Sequence, residues 1–210
     1  MSVGAIRSLL VVAPHPDDEV IGCGGLIART LEAGGRVTVC IMSDGAASHP
    51  GSPTFPPDRL ARTRRAESLA ALGHLGVGAD SVHFLDLPDG ESQRWPAPAE
   101  LDALLALPWD AVALPSAFDN HADHRVTQAM VSRRAVGARQ LHYLVWPHES
   151  GLRPPTPCLS VELGAHRRAK AESLLHYATQ LGMIRDAEWN FAIDQPLFQR
   201  FCAPVEHFHA

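Results

Sequence analysis

The chain has 210 residues, of which 46% are hydrophobic and 20% are charged, and it carries a net charge of −5. These proportions are typical of a folded protein and exclude wholesale disorder, while the length favours one domain spanning residues 1–210. The net negative charge provides no attraction for nucleic acid or for an anionic membrane, so we expect neither as a partner.

The cysteines and the apolar stretches indicate the compartment. The four cysteines lie far apart and form no CxxC pair, which favours reduced thiols in the cytoplasm. The first apolar run is short and meets proline and acidic residues, a pattern unlike that of a signal peptide. No stretch approaches the roughly 20 apolar residues that a membrane helix needs. We therefore expect a cytoplasmic protein without a membrane span.

Strand and helix patterns alternate along the chain. SLLVVA (8–13) is an apolar run after its first residue, which predicts a strand buried on both faces. A helix (20–35) and a β-branched strand (36–42) follow it. The alternation continues with helices at 58–77, 97–107, 121–137 and 166–181 and strands at 81–87, 110–116, 141–147 and 158–163. This succession predicts an α/β fold of Rossmann-like type, with a mostly parallel sheet and helices on both faces.

Polar side chains collect directly after two of these strands. PHPDDE (14–19) follows the first strand, and FDNHADH (118–124) follows the strand at 110–116. In open parallel sheets ligands bind outside the carboxyl ends of the strands, so we expect both clusters at one edge. Histidine and aspartate are ligands of catalytic zinc, which takes three protein ligands and leaves a position for water.

Spacing alone leaves the ligand set open. His15 with either Asp17 or Asp18 would supply a first pair. Either His121 or His124 would complete the triad, because the two histidines lie one helical turn apart.

Each cluster also has a simpler interpretation. A capped helix start with solvated acids would explain either one, and in the second cluster Asn120 is a candidate N-cap with Asp123 three residues later. The presence of both clusters at strand ends of one sheet favours a shared metal site. GCGG (22–25) lies inside the first predicted helix and not between strand and helix, so it does not predict a dinucleotide site.

The two clusters occur together with three further motifs. In chain order the five stretches are PHPDDEVIGCGGLIA, RLARTRRAESLAALGHLGV, LDLPDG, HADH and KAESLLHYATQL. Together they resemble the PIG-L or LmbE-like family of zinc-dependent N-deacetylases. The resemblance implies a hydrolase that uses zinc to remove an N-acetyl group, and its partner would be a small N-acetylated amino sugar or glycoconjugate.

The resemblance also implies roles for residues of the two clusters. It assigns three zinc ligands, His15, Asp18 and His124. Asp17 would be the general base that activates the zinc-bound water and later protonates the departing amine. Glu19 is needed for neither task, and we expect it to cap the first helix or to hydrogen-bond a ligand residue.

Four further assignments concern the oxyanion and the sugar. By the same resemblance, His121 would stabilise the developing oxyanion and Asp123 would orient His121. Arg64 and Asp89 correspond to positions that hold sugar hydroxyls.

Two positions depart from the pattern of the family. Ala122 stands where HPDH has proline, a change that the first turn of a helix tolerates. Asp119 replaces a tyrosine that mycothiol-pathway members carry just before this motif. The second departure argues against a phenol donor to the oxyanion and against a mycothiol-type substrate.

Other residues near strand ends are candidates for substrate contacts. Asp44 ends the second strand and could face the pocket or lie outside it. His49 could belong to a lid or be a solvated loop residue, and His148 with Glu149 could contact substrate or form a turn.

Two other functions fit the same sequence. An amidase would use the zinc chemistry to cleave a larger N-acyl group of a sugar or thiol conjugate. A non-catalytic Rossmann-like module would bind a sugar or nucleotide at the strand ends without turnover. The complete set of candidate ligands and base favours hydrolysis over the binding module.

Overall fold

A five-stranded parallel sheet lies at the centre of the computed structural model, which describes residues 5–96, 98–147, 151 and 154–210. Its strands are β1 Ser8–Ala13, β2 Arg36–Ser43, β3 Val82–Leu87, β4 Ala111–Pro115 and β5 Arg139–Tyr143. The α-helices of the described residues are α1 Asp18–Glu32, α2 Pro57–His74, α3 Ala99–Leu105, α4 Ala122–Ser132, α5 His166–Leu174 and α6 Gln195–Phe201. Strands β6 Leu159–Glu162 and β7 Val205–Phe208 pair as a separate antiparallel ribbon.

The strand order β3-β2-β1-β4-β5 creates a switch point in the middle of the sheet. β1 pairs in parallel with β2 on one side and with β4 on the other, with Leu9 opposite both Val37 and Ala111. The chain first adds strands on the β2 side and then returns to add them on the β4 side. The loops after β1 and β4 therefore diverge and leave a crevice at the carboxyl edge, where ligands bind in folds of this kind.

Helices cover both faces of the sheet, which confirms the predicted fold class. Leu9 and Val11 face a core formed with α1, α2 and α5, while Leu10 and Val12 face a second core formed with α3 and α4. All of β1 is buried, and this two-sided burial accounts for the unbroken apolar run SLLVVA.

The antiparallel ribbon and helix α5 are joined to helix α1 by a buried ion pair. Lys170 on α5 and Glu206 on β7 approach to 2.7 Å between Nζ and Oε1. The Glu206 carboxylate also accepts the backbone N–H groups of Gly25 and Leu26, at 2.7 and 2.8 Å. Lys170 Nζ donates to the carbonyl oxygen of Ile21 at 2.7 Å. The middle of α1 is thus held by two charged side chains from distant parts of the chain.

Three predicted elements end at least four residues earlier in the structure than the sequence indicates. The strand predicted at 141–147 ends at Tyr143, because the next backbone N–H groups of Val145 and Trp146 donate to the Asp119 carboxylate. The helix predicted at 121–137 stops at Ser132. The helix predicted at 166–181 ends at Leu174, after which i→i−3 hydrogen bonds tighten the chain into a separate 3-10 turn.

None of the helices in the described part of the chain combines the length and the apolar character of a membrane span. The candidate residues His148 and Glu149 lie outside the described residues.

Candidate metal centre

Three candidate metal ligands meet at the switch point of the sheet. His15 lies in the loop after β1, Asp18 opens α1, and His124 lies in the first turn of α4. Asp18 Oδ2 is 3.0 Å from His15 Nδ1 and 3.1 Å from His124 Nε2. All three side chains are buried. Residues separated by more than a hundred positions are brought together because β1 and β4 are neighbouring strands.

Among the residues that the structure describes, the imidazole of His124 has no aligned hydrogen-bond partner. Its Nε2 lies 3.1 Å from Asp18 Oδ2 and its Nδ1 lies 3.1 Å from Asp119 Oδ2, yet neither contact has hydrogen-bond geometry. Burial opposes a positive charge on this ring, but the two carboxylates raise the pKa of His124 to about 9. The site therefore favours a cation at this position.

The carboxylate of Asp18 is ionised in the same environment. Burial opposes its ionisation, but the imidazoles of His124 and His15 hold the pKa of Asp18 well below its usual range. A carboxylate between two imidazoles is a donor set of the kind that holds catalytic zinc. Together with the unpaired Nε2 of His124, this donor set fits a zinc ion. The ring nitrogens of His15, His121 and His124 form a second possible set, since they lie within 4.8 Å of one another.

Two more carboxylates fix the orientation of His15. Its Nε2 lies 3.1 Å from Asp123 Oδ2 and 3.2 Å from Asp89 Oδ1. Burial opposes a charge on the ring, but Asp89, Asp123 and Asp18 raise the pKa of His15 well above its usual value. A proton held on Nε2 by these acids leaves Nδ1 directed toward Asp18 and available as a ligand atom. Asp89, expected near a sugar, contacts this imidazole.

Asp17, the candidate general base, has a strained backbone. It occupies the N-cap position of α1 with φ 133° and ψ −31°, a conformation that costs on the order of 1–3 kcal/mol for a residue with a side chain. Glu19 accepts the backbone N–H of Asp17 at 2.9 Å and so caps the start of the helix, one of its two expected roles. Burial raises the pKa of Asp17 to about 8, against the opposing charge of Arg64 and with the added repulsion of Asp18.

Arg64 lies directly behind Asp17. Its guanidinium donates to Asp17 Oδ2 at 3.2 Å, to the carbonyl of Pro16 at 2.6 Å and to the carbonyl of Gly45 at 2.9 Å. Only 3% of the residue is exposed. The arginine therefore joins α2 to the loops after β1 and β2, and its contact with a sugar hydroxyl stays a prediction.

His121 is the N-cap of α4, which corrects the expectation that Asn120 would have that role. The loop turns one residue later than expected, because Asp119 Oδ1 accepts the backbone N–H of His121 at 2.9 Å. His121 Nδ1 in turn accepts the backbone N–H of Asp123 at 3.2 Å. The Asp123 main chain thus orients His121, while its carboxylate faces His15.

The electrostatics of His121 favour the neutral imidazole. The partial loss of water around its ring at the wall of the crevice, and then the nearby charges of His15 and His124, lower the pKa of His121. Because Nδ1 accepts a hydrogen bond, the hydrogen-bond pattern assigns the proton of the neutral ring to Nε2. His121 is exposed, and its ring centroid lies 4.8 Å from that of His15 and 4.9 Å from that of His124.

Asp119 is a functional candidate that the sequence reasoning missed. It is fully buried, and its Oδ2 accepts the backbone N–H groups of Val145 and Trp146 while lying 3.1 Å from His124 Nδ1. In the sequence this position stands out only as a departure from the tyrosine of mycothiol-pathway members. Asp119 lies in the strand-end segment that leads to the candidate ligand His124, and this position could have identified it as a partner of that ligand.

The remaining candidates support the loops around the site. Asp44 is half-buried, and its Oδ1 accepts the backbone N–H groups of Ala46 and Asp89 at 2.9 and 3.3 Å. His49 is 2% exposed, and its Nε2 lies 3.0 Å from the carbonyl oxygen of Phe191. The interpretation of His49 as a solvated loop residue was therefore wrong, because the segment after α5 covers it.

Comparisons with known proteins identify the family of the chain. A family model described as PIG-L, GlcNAc-PI de-N-acetylase, matches residues 10–135. The chain is 38% identical over 91 residues to a 1D-myo-inositol 2-acetamido-2-deoxy-alpha-D-glucopyranoside deacetylase of Kineococcus radiotolerans, covering 42% of this chain and 25% of that protein. It is 31% identical over 86 residues to a diacetylchitobiose deacetylase of Thermococcus kodakarensis, covering 41% of this chain and 31% of that protein. These matches span less than a third of either relative.

A solved structure extends the likeness in fold to nearly the whole chain. A conserved protein from Thermus thermophilus superposes with a TM-score of 0.71 and 24% identity, covering 97% of this chain and 94% of that one. The shared architecture therefore includes α5, α6 and the antiparallel ribbon, which lie beyond the residues that the family model matches.

Proposed function

Because the chain belongs to the PIG-L family, we propose that it is a zinc-dependent hydrolase that removes an N-acetyl group from an amino sugar or sugar conjugate. One observation carries the proposal. The Asp18 carboxylate lies between His15 and His124, within 3.1 Å of a ring nitrogen of each, and the buried carboxyl group of Asp17 is its neighbour in the chain. This arrangement supports the proposal, because the candidate ligands and the candidate base lie next to one another in the crevice of the sheet.

Three residues would hold the zinc ion in this proposal: His15, Asp18 and His124. When bound, zinc lowers the pKa of water to about 7 and polarises an amide carbonyl. Asp89 and Asp123 support this role for His15, and Asp119 supports it for His124, because each acid faces the ring nitrogen on the far side from Asp18.

Asp17 would move the proton in the reaction. Burial keeps its pKa near neutrality, at about 8, so the carboxyl group can take a proton from the attacking water and return it to the departing amine. Arg64, 3.2 Å away, stabilises the ionised form that must be present when the water attacks.

His121 would stabilise, by a hydrogen bond, the negative charge that forms on the substrate oxygen. Its Nδ1 is occupied by the backbone N–H of Asp123, which leaves an exposed Nε2–H as a donor. A neutral donor oriented in advance by the main chain stabilises an oxyanion without reorganisation during the reaction. Contacts of Arg64 and Asp89 with sugar hydroxyls remain part of the proposal.

The substrate in this proposal is a small N-acetylated sugar or glycoconjugate, and the compartment is the cytoplasm. The four cysteines, all free thiols, support a reducing compartment. The names of the two relatives support N-acetylated amino sugars as the class to test first.

The proposal is tested by assaying the zinc-loaded protein on N-acetylglucosamine, N,N′-diacetylchitobiose and N-acetylglucosaminyl-inositol. We expect release of acetate and of a free amine. Matched N-propionyl and N-butyryl sugars separate deacetylation from cleavage of larger acyl groups. Amine release only from the bulkier compounds would favour the amidase, and tight binding without release from any of them would favour a binding module.

The first variant to compare is Asp17→Ala. We expect its kcat to fall by about 10²- to 10⁴-fold, because the proton transfer is lost while the metal ligands remain. Zinc content, measured by elemental analysis, should equal that of the wild type. A variant that retains full activity would contradict the role of Asp17, and loss of zinc would show that Asp17 acts on the metal site instead.

A further inference from the structure

The motif KAESLLHYATQL has no role in the proposed chemistry, although the structure buries much of it. Six of its residues are 2% exposed or less: Lys170, Ser173, Leu174, Tyr177, Thr179 and Gln180. Five of these six side chains are polar or carry a hydroxyl group. Buried polar groups need partners, so the contacts of this segment reveal what it supports.

One contact leads from this segment to the backbone of Asp17. The Tyr177 hydroxyl donates to Glu19 Oε1 at 2.7 Å, and the other oxygen of the same carboxylate, Oε2, accepts the backbone N–H of Asp17 at 2.9 Å. Tyr177 and Glu19 are both fully buried, so these bonds have no competition from bulk water. A single carboxylate thus connects the phenol to the residue that opens α1.

A second set of contacts leads from this segment, through helix α2, to the side chain of Asp17. Glu67 accepts the backbone N–H of Thr179 at 2.8 Å and also its hydroxyl hydrogen. Glu67 lies one turn after Arg64, whose guanidinium contacts the Asp17 carboxylate at 3.2 Å. The backbone and the side chain of Asp17 are therefore both connected to residues 177–179.

Asp17 requires such support because its backbone lies at φ 133°. A residue with a side chain leaves that region unless its surroundings fix it there. Rotation of the Asp17 peptide would break the bond to Glu19 and swing the carboxyl group away from Asp18 and Arg64. The hydrogen bond from Tyr177 fixes the Glu19 carboxylate in the orientation that opposes this rotation.

We propose that Tyr177 is a positioning residue of the active site, which holds Asp17 in its reactive orientation through the carboxylate of Glu19. This inference rests on the proposed function, because it takes Asp17 as the general base. It extends the site to a segment more than forty residues beyond the end of the family match at residue 135.

The central variant is Tyr177→Phe, which removes only the hydroxyl. On N,N′-diacetylchitobiose we expect kcat to fall by roughly 10- to 100-fold with KM and zinc content unchanged, because the phenol acts on the position of the base and not on substrate binding. Tyr143→Phe is the matched control, since the Tyr143 hydroxyl is equally buried and donates to the backbone carbonyl of Val12 at 2.9 Å. Its kcat should equal that of the wild type. Equal losses in both variants would overturn the proposal.

Two further comparisons separate positioning from general loss of structure. In Glu19→Gln the amide oxygen still accepts from Asp17 and the amide N–H₂ donates to the Tyr177 oxygen, so we expect most of the activity to remain, whereas Glu19→Ala should lose it. In an Asp17→Ala background, Tyr177→Phe should cause no further loss of kcat. A further loss there would overturn the proposal, because the phenol would then act independently of Asp17.

A measurement without substrate keeps this inference distinct from the proposed function. Hydrogen exchange followed by mass spectrometry reports on the Asp17 backbone N–H. We expect faster exchange there in Tyr177→Phe than in the wild type or in Tyr143→Phe. Unchanged exchange would overturn the positioning role, whatever the activity. If the wild type deacetylates no sugar, the proposed function fails while the exchange result still decides whether Tyr177 holds Asp17.

Discussion

At the scale of single residues, the site is built from acids that face both sides of the candidate metal ligands. Asp18 lies between His15 and His124, and each imidazole contacts further carboxylates through its other nitrogen. Such partners fix the tautomer and the orientation of an imidazole and raise its basicity. In the proposed metal site, affinity would therefore depend on residues that do not touch the metal.

Asp119 provides a direct test of that dependence. We expect Asp119→Asn to weaken zinc binding by roughly 10- to 100-fold, because an amide cannot supply the negative charge that faces His124 Nδ1. The measurement is a competition titration with a zinc chelator. Asp110→Asn is a control, since Asp110 also accepts two backbone N–H groups, of Arg7 and Ser8, but at the opposite end of the sheet. Equal zinc affinity in the Asp119 variant and the wild type would contradict the assignment.

At the scale of elements, the sequence predicts what local pattern controls and misses what distant contacts control. β1 is recognisable because burial on both faces demands an unbroken apolar run. The end of β5 cannot be recognised from the local sequence. It depends on the Asp119 carboxylate, more than twenty residues earlier, which accepts the backbone N–H groups that follow the strand. The same residue moves the N-cap of α4 from Asn120 to His121.

The candidate site also contains features that local motifs predict and features that only distant contacts determine. The motifs around His15 and His124 predict the candidate ligands, and the parallel alternation predicts that their loops meet, as the structure shows. The contact of Asp89 with His15 and that of Tyr177 with Glu19 join separate elements, and no spacing within either segment reports them.

The buried pair Lys170 and Glu206 carries a prediction about helix α1. We expect Lys170→Met to destabilise the protein by about 3–5 kcal/mol, because it leaves the Glu206 carboxylate buried without its cation. The double variant Lys170→Met with Glu206→Gln should be more stable than the single variant. Arg29→Met removes an exposed pair with Glu32 on the same helix and should change the unfolding free energy little. Urea denaturation measures all of these, and a single variant as stable as the wild type would contradict the prediction.

At the scale of the whole molecule, the site concentrates titratable groups in the interior, which makes stability depend on pH. The pKa of His124 is about 9 against 6.5 for an unperturbed histidine, and that of Asp17 is about 8 against 3.8. Both groups bind protons more tightly in the folded chain, so the stability they confer is lost as pH rises through the folded pKa values. Asp18 has a lowered pKa and stays ionised throughout this range.

We therefore expect the unfolding free energy of the metal-free protein to fall by a few kcal/mol between about pH 6 and pH 9. Zinc should flatten this dependence, because a metal ion replaces the protons at the imidazoles. Denaturation at several pH values, with a chelator or with zinc, measures both effects. A metal-free protein whose stability is constant or rises over this range would contradict the pKa directions.

The hydrogen bonds from the backbone of Gly25 and Leu26 to Glu206 also have a consequence for synthesis of the protein. Glu206 lies 181 residues after Gly25 and 180 residues after Leu26 in the chain. Helix α1 can therefore form these hydrogen bonds only after almost the whole described chain has left the ribosome. Contacts between such distant residues slow folding, because a long loop must close before they form. The helix that begins with Asp18 therefore reaches its final position after translation has passed residue 206, and the nascent chain must stay protected from aggregation until then.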